Sequence, residues 1–86
     1  MLKFPNASRS YDPTRHCVRF WGHDGALEIS FFVAEDALLQ LTPSAAPGEA
    51  ALLETFDRNR ERIIRTALKV YERRRKSSYE LTGSDF

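Results

Sequence analysis

The sequence predicts an α+β fold in which an antiparallel β-hairpin packs on a short helix and one long C-terminal helix. The hairpin becomes a three-stranded sheet if either terminus adds a strand. Residues 16–33 contain two segments rich in β-branched and aromatic side chains, residues 34–41 form a short apolar segment, and residues 49–76 repeat apolar positions with the helical period. Because 86 residues is the length of one domain, we expect residues 1–86 to form a single α+β domain.

The hairpin is predicted from the Asp24-Gly25 pair, which favours a two-residue type I′ turn because both positions must accept positive φ. With these two residues as the loop, Phe20 lies opposite Ile29. One face of the hairpin is then wholly apolar, which supports the register because a slip by one residue would mix the two faces. The predicted apolar face comprises Val18, Phe20, Leu27, Ile29, Phe31 and Val33.

Helical patterns cover most of the remaining chain. A short helix is predicted over residues 34–41, a loop over 42–48, and a helix of about 42 Å over 49–76. The segment Leu2–Arg15 is rich in turn signals, with a short strand expected near Leu2–Phe4. The segment after Ser78 carries apolar residues that we expect to dock on the domain.

Composition and charge narrow the class of protein. The chain is 42% hydrophobic and 29% charged, as in globular proteins, and no apolar run approaches the roughly 18 residues of a membrane span. A single cysteine and the lack of an apolar leader favour the cytoplasm. The net charge is +1, yet residues 57–76 hold nine basic and three acidic residues, so the predicted long helix is the positive end of the molecule.

Arg60 falls on the apolar side of the predicted helix, where an unpaired guanidinium is unfavourable. We therefore expect Arg60 to be mostly buried and ion-paired. Asp57 lies three residues away and is the first candidate partner, and Asp85 in a docked tail is the second. Other candidates are Glu28 and the terminal carboxylate. The expected role is a structural clasp between helix and tail.

A basic stripe is predicted on the opposite side of the same helix. As a solvated helix face it needs no ligand; as a binding surface it would neutralise the phosphates of nucleic acid or anionic lipid headgroups. The modest net charge argues against a dedicated nucleic-acid binder. The stripe, a candidate anion-binding site, comprises Arg58, Arg62, Arg65, Lys69, Arg73 and Lys76.

The second face of the predicted hairpin carries Arg19 between Trp21 and Phe32. These residues are a candidate interface: a second subunit or the N-terminal segment would cover them. An arginine among aromatic rings also resembles platforms on which single-stranded bases stack. We expect a homo-oligomer that uses this face or the edge of the sheet.

Metal and catalytic sites are not predicted. His16, Cys17, His23 and Asp24 cluster in sequence, but neighbouring residues of a strand point to opposite faces and cannot converge on one ion. The same geometry separates Cys17 from His16 as a nucleophile–base pair. We therefore expect no enzyme activity, no catalytic residues, no metal and no cofactor.

The sequence carries several short motifs: a leading FPN, RFWG at the end of one strand, LEISFFV in the next, FDxxR over Phe56–Arg60, and a closing LTxxDF. Together they resemble the small bacterial family catalogued as domain of unknown function 1488 (DUF1488). The resemblance implies a compact α+β domain from a bacterium and implies no activity. From sequence we expect a small non-enzymatic binding or adaptor domain, the alternative being a weak nucleic-acid or anionic-surface binder that uses the basic stripe.

Overall fold

The computed structural model describes residues 1–5, 7–43, 46 and 48–86. Within these residues the architecture is α+β, with a mixed five-stranded sheet and three α-helices. The strands are β1 (Leu2–Lys3), β2 (Arg9–Asp12), β3 (Cys17–Asp24), β4 (Leu27–Ala34) and β5 (Ser78–Leu81). The helices are α1 (Glu35–Leu41), α2 (Glu49–Arg58) and α3 (Arg60–Arg73), and a 3-10 turn covers Gly83–Asp85.

The sheet is built around the β3–β4 hairpin. β1 and β2 both pair antiparallel with the outer side of β3, whereas β5 pairs parallel with β4 after the connection through the three helices. Both ends of the chain therefore add strands to the hairpin, which extends the predicted three-stranded sheet to five.

The predicted register of the hairpin is wrong by two residues. The loop is Gly25-Ala26, so that Asp24 lies opposite Leu27 and Phe20 opposite Phe31. Gly25 has φ +61°, and positive φ at only the first loop position is the pattern of a type II′ turn. The observed register also stacks the rings of Phe20 and Phe31, with centroids 5.2 Å apart. A shift of two residues leaves every side chain on its predicted face.

Asp24 is retained in β3 by two contacts of its carboxylate. The N-terminal ammonium lies 2.8 Å from Oδ1, and the Tyr71 hydroxyl donates to Oδ2 at 2.5 Å. Both partners favour the ionised form and hold the pKa of Asp24 below its ordinary value. The contacts tie the end of β3 to α3 and to the N-terminus, which explains why Asp24 is not a loop residue.

Replacing Asp24 with asparagine is expected to reduce the fall in the free energy of unfolding as the pH is lowered. Because the folded-state pKa is lowered, Asp24 stabilises the fold fully above the ordinary aspartate pKa of about 4, and this contribution is lost as the pH falls through the folded-state value. Urea midpoints measured between neutral and acid pH test this. An Asp36→Asn control, at an exposed helical aspartate, should keep the slope of the wild type.

The core lies between the sheet and the helices. Five of the six residues of the predicted apolar face are buried, and they pack against Leu38, Leu52, Phe56, Ile63 and Ala67. The buried five are Val18, Phe20, Ile29, Phe31 and Val33. Leu27 was predicted among them, but it is 65% exposed because it closes the hairpin turn at the end of the sheet.

The prediction of a single helix over residues 49–76 is wrong, because the helical segment is broken at Asn59 and ends at Arg73. Asn59 separates α2 from α3, and its Nδ2 donates 2.9 Å bonds to the Thr55 carbonyl and to Thr42 Oγ1. An asparagine side chain that bonds backbone carbonyls competes with helical geometry, which explains the break. The helical segment ends at Arg73, since the following residues must turn back to form β5.

The predicted docking of the C-terminal segment is confirmed. Tyr79 and Leu81 of β5 are buried, and Phe86 packs on the edge of the core. The Tyr79 hydroxyl donates to the Arg74 carbonyl and accepts from the Lys76 amide. These bonds satisfy backbone groups in the turn from α3 to β5 and fix the start of the last strand.

Candidate functional site

One face of the sheet points away from the helices, and we call it the open face. The strand registers place Arg19 beside Phe32, and Phe32 beside Glu80, on this face. Its charged side chains reach solvent, since 35% of the Arg19 side chain and 71% of the Glu80 side chain are exposed. The open face comprises Arg15, Arg19, Trp21, Glu28, Phe32 and Glu80.

The described strands of the N-terminal segment do not lie over the open face, contrary to one of the two alternatives from sequence, although Arg15 at the end of the segment reaches Phe32. Phe4 packs instead on Phe20 and Phe31, which are residues of the core face. The ring centroid of Phe4 lies 5.7 Å from that of Phe20 and 5.8 Å from that of Phe31. Tyr11 lies opposite Val18 on that same core side. The N-terminal strands thus extend the sheet sideways and leave the open face to solvent or to a partner.

Each aromatic ring of the open face is capped by an arginine. The guanidinium of Arg15 lies 3.8 Å from the centroid of Phe32, and that of Arg19 lies 4.8 Å from Trp21. Each arginine is in turn held by a carboxylate, Arg15 by Glu80 at 2.8 Å and Arg19 by Glu28 at 3.2 Å.

Sequence reasoning brought Arg19, Trp21 and Phe32 together but missed Arg15 and Glu80. Glu80 is on β5, the C-terminal strand that the sequence left as one of two alternatives without a register, and Arg15 reaches the face from the turn before β3. No local pattern in the sequence indicates that either residue lies beside Phe32.

A cavity of about 290 Å³ beside Phe32 has the thiol of Cys17 in its wall. Cys17 is only 4% exposed, and its burial raises the pKa of the thiol, so the thiol stays protonated at neutral pH. His16 contacts Glu35, with 3.5 Å between Nδ1 and Oε2. Across the described part of the chain, no three His, Cys, Asp or Glu side chains converge to form a metal site.

The predicted ion pairs of Arg60 are wrong. The Asp57 carboxylate accepts hydrogen bonds from Nε and Nη2 of Arg9, each at 2.9 Å. The Asp85 carboxylate accepts a hydrogen bond from the backbone amide of Thr82 at 2.8 Å. The other candidate side chain, Glu28, pairs with Arg19. Arg60 is partly buried, its guanidinium lies 5.1 Å from the centroid of Phe56, and its buried Nη2 has no hydrogen-bond partner among the described residues. The residue is thus a half-buried cation over an aromatic ring.

Asp57 is expected to couple energetically to Arg9 and not to Arg60. A double-mutant cycle on Arg9→Ala and Asp57→Ala should give a coupling free energy of about 0.2–1 kcal/mol, as for other partly exposed pairs. The equivalent cycle on Asp57 and Arg60 should give a value near zero. Urea denaturation of the wild type, the three single mutants and the two double mutants measures both coupling energies. A larger coupling of Asp57 to Arg60 than to Arg9 would support the ion pair predicted from sequence.

The basic stripe is shorter than predicted because the helix is broken. Arg58 belongs to α2 and pairs with Glu54 at 2.6 Å, and Lys76 lies beyond the end of α3. Four exposed cations remain on one side of α3, and none of them forms an ion pair within the described residues. This shorter set, which we call the α3 stripe, comprises Arg62, Arg65, Lys69 and Arg73.

A surface cavity of about 370 Å³ lies along the α3 stripe and is lined by Arg62, Arg65 and Lys69. The carboxylate of Asp85 reaches the same cavity, although it already bonds the Thr82 amide. The cavity therefore combines three cations with the Asp85 carboxylate and Phe86, the last residue of the sequence.

A comparison with protein-family models matches residues 2–82 to a family described as "Protein of unknown function (DUF1488)". The chain belongs to this family. Neither the curated proteins nor the solved structures include a match.

The DUF1488 match spans both the open face and the α3 stripe, so both surfaces are part of the family's domain. The family description assigns them no activity. Among the described residues of this DUF1488 protein, no helix is both long enough and apolar enough to cross a membrane.

Proposed function

We propose that the protein is a small non-enzymatic binding domain of the bacterial cytoplasm that associates with a second copy of itself through the open face. The observation that carries the proposal is an accessible sheet face with two arginine-capped aromatic rings, while both ends of the chain pack elsewhere. The cytoplasm is part of the proposal because the only cysteine is a buried free thiol, which needs no oxidising compartment.

Charge balance favours a second copy as the occupant. The open face carries two guanidinium groups and two carboxylates, so its net charge is zero. When two identical faces meet across a two-fold axis, the guanidinium groups of one copy can pair with the carboxylates of the other, and the reverse. A strand of nucleic acid would instead meet as many carboxylates as cations.

The size of the face predicts weak association. Four strands spaced about 4.8 Å apart and about 20 Å long give roughly 400 Å² per copy, or roughly 800 Å² in total. Stable complexes bury about 1,200–2,000 Å². We therefore expect a transient dimer with a dissociation constant in the micromolar range or above.

Sedimentation velocity from micromolar to millimolar concentration tests this proposal. The wild-type weight-average mass should rise from 9.9 kDa towards twice that value, and Arg19→Glu should remain monomeric because it places like charges across the two-fold axis. Arg62→Glu, the same charge change on α3, should dimerise like the wild type. A wild type that stays at 9.9 kDa at millimolar concentration rules the dimer out.

The α3 stripe supports a second candidate function, the binding of nucleic-acid phosphates. Its four cations form no ion pair within the part of the chain that the structure describes, are spread over about 16 Å of helix, and can each neutralise a phosphate. Gel shifts with nonspecific duplex DNA should then show a log–log salt slope of about −3 to −4. Reversal of Arg62, Arg65 and Lys69 to Glu should abolish the shift, whereas Arg15→Glu with Arg19→Glu should not. No shift of wild type at low salt excludes this function.

A further inference from the structure

Two large apolar side chains are exposed within the described residues, and they lie at the same end of the molecule. Met1 is 91% exposed and Leu27 is 65% exposed. Leu2 and Leu27 lie on either side of Asp24 at the end of β3, so the backbones near Met1 and Leu27 are about 10 Å apart, two strand spacings. The turn between β3 and β4 therefore projects apolar groups beyond the sheet.

Four consecutive cations lie at the end of α3 and in the connection that returns to this end of the sheet. Arg73 to Lys76 end α3 and lead back to the sheet, where the Ser77 carbonyl accepts the Ser30 amide at 3.0 Å. This connection brings Arg75 and Lys76 to the wall of a cavity of about 350 Å³ that Leu27 also lines. We call this end the basic tip: Met1, Leu27, Arg73, Arg74, Arg75 and Lys76.

Two of the acidic groups of this end are already paired. Asp24 binds the N-terminal ammonium and the Tyr71 hydroxyl, and Glu28 binds Arg19. The four cations of the tip form no ion pair within the described part of the chain, although Arg75 lies 5.6 Å from the centroid of Tyr71. Against the four cations stands one acid without an ion pair in that part of the chain, the exposed Glu72 before Arg73, so the surface around Leu27 has an excess of unpaired positive charge.

We infer that the basic tip docks on the surface of an anionic lipid bilayer, a role beyond the self-association and nucleic-acid binding proposed above. Leu27 and Met1 enter the headgroup boundary, and the cations contact lipid phosphates. Apolar side chains ringed by lysine and arginine are what a peripheral membrane contact requires. A nucleic-acid strand offers phosphates but no apolar layer for two exposed aliphatic side chains. The favourable position of cations at a helix C-terminus explains Arg73 but not the exposed Leu27 beside Arg75 and Lys76.

Co-sedimentation with phosphatidylcholine vesicles, with and without phosphatidylglycerol, tests the inference on the full chain. The wild type should bind the anionic vesicles and not the neutral ones. Leu27→Ser should weaken binding by about tenfold, the value of a buried leucine side chain. Arg74→Ser, Arg75→Ser and Lys76→Ser combined should weaken it by about a hundredfold, since each basic residue near the surface contributes about fivefold.

A matched control removes the same charge elsewhere. Arg62→Ser, Arg65→Ser and Lys69→Ser combined lie on the α3 stripe and should change vesicle binding far less than the tip variant. Equal losses would show that the stripe, not the tip, faces the lipid, and would overturn the inference. An unchanged Leu27→Ser, or a wild type that binds no vesicle or binds both kinds equally, would overturn it too.

A second readout follows insertion directly. Leu27→Cys labelled with an environment-sensitive fluorophore should shift to shorter wavelength on anionic vesicles, because Cys17 is buried and leaves the new thiol as the reactive one. Fluorescence that stays at its aqueous wavelength on sedimenting protein argues against insertion. Circular dichroism of each variant checks that the fold is retained. Sedimentation velocity without vesicles tests the open face separately, so failure of either proposal leaves the other standing.

Discussion

Replacing Phe20 with alanine is expected to lower the free energy of unfolding by about 3–5 kcal/mol. Phe20 is 1% exposed, and its ring contacts Phe4, Phe31 and Phe56 at centroid distances of 5.7, 5.2 and 5.2 Å. It therefore joins the N-terminal segment, the hairpin and α2 in one aromatic cluster. Proteins of this length have a free energy of unfolding of about 4–13 kcal/mol, so the substitution removes a large part of the total stability.

Leu27→Ala is the matched control for Phe20→Ala. Sequence reasoning placed both residues on one apolar face, yet Leu27 is exposed and its truncation should change the stability by no more than about 0.5 kcal/mol. Urea denaturation followed by circular dichroism measures both values. Similar losses for the two variants would mean that Leu27 is covered in solution, and would contradict the register of the hairpin.

Replacing Arg60 with methionine is expected to raise the free energy of unfolding by about 1–2 kcal/mol. Among the described residues the buried Nη2 of Arg60 has no hydrogen-bond partner, so folding removes water from this cationic donor and no described group accepts its hydrogen bond. Methionine keeps an unbranched apolar chain over the Phe56 ring and leaves no donor unsatisfied. The lost cation–π contact reduces the gain by about 0.5–1 kcal/mol.

Arg58→Met separates this effect from the general removal of positive charge. Arg58 is exposed and pairs with Glu54 one turn away, so its replacement should lower stability by about 0.3–0.5 kcal/mol. Thermal and urea unfolding at neutral pH compare the two variants. A loss of several kcal/mol in Arg60→Met would mean that Arg60 has an anionic partner after all, as the sequence had predicted.

The alternation along the two long strands was sufficient to assign their faces. Val18 and Phe20 point to the core and Arg19 and Trp21 do not, whichever turn closes the hairpin, because the two candidate loops differ by a shift of two residues. Gly25 is a loop residue in both. The choice between them depended on Tyr71 and the N-terminus, which hold Asp24 from distant parts of the chain.

Features that depend on distant partners were not predictable from local patterns. At the break, Asn59 bonds Thr42, which is 17 residues away, as well as the local Thr55 carbonyl, and the apolar residues of the segment otherwise repeat with a regular helical period. The pairing of Asp57 with Arg9 requires β2 to lie beside α2. The helical pattern placed Arg60 on the apolar side and therefore predicted a carboxylate partner. The nearest acid in sequence, Asp57, is instead paired with Arg9.

The parallel strand β5 imposes an order on folding. Ser30 pairs with Ser78 across 48 residues, so the outer edge of β4 stays unpaired until both helices α2 and α3 have been synthesised and packed. The nascent hairpin meanwhile presents Phe31 and Val33 on an apolar surface with an open backbone edge, the combination that promotes intermolecular pairing. Closure over such a sequence separation is slow compared with the formation of the hairpin. During synthesis the protein is therefore most exposed to aggregation, and most in need of a chaperone, in the interval between the completion of β4 and the arrival of β5.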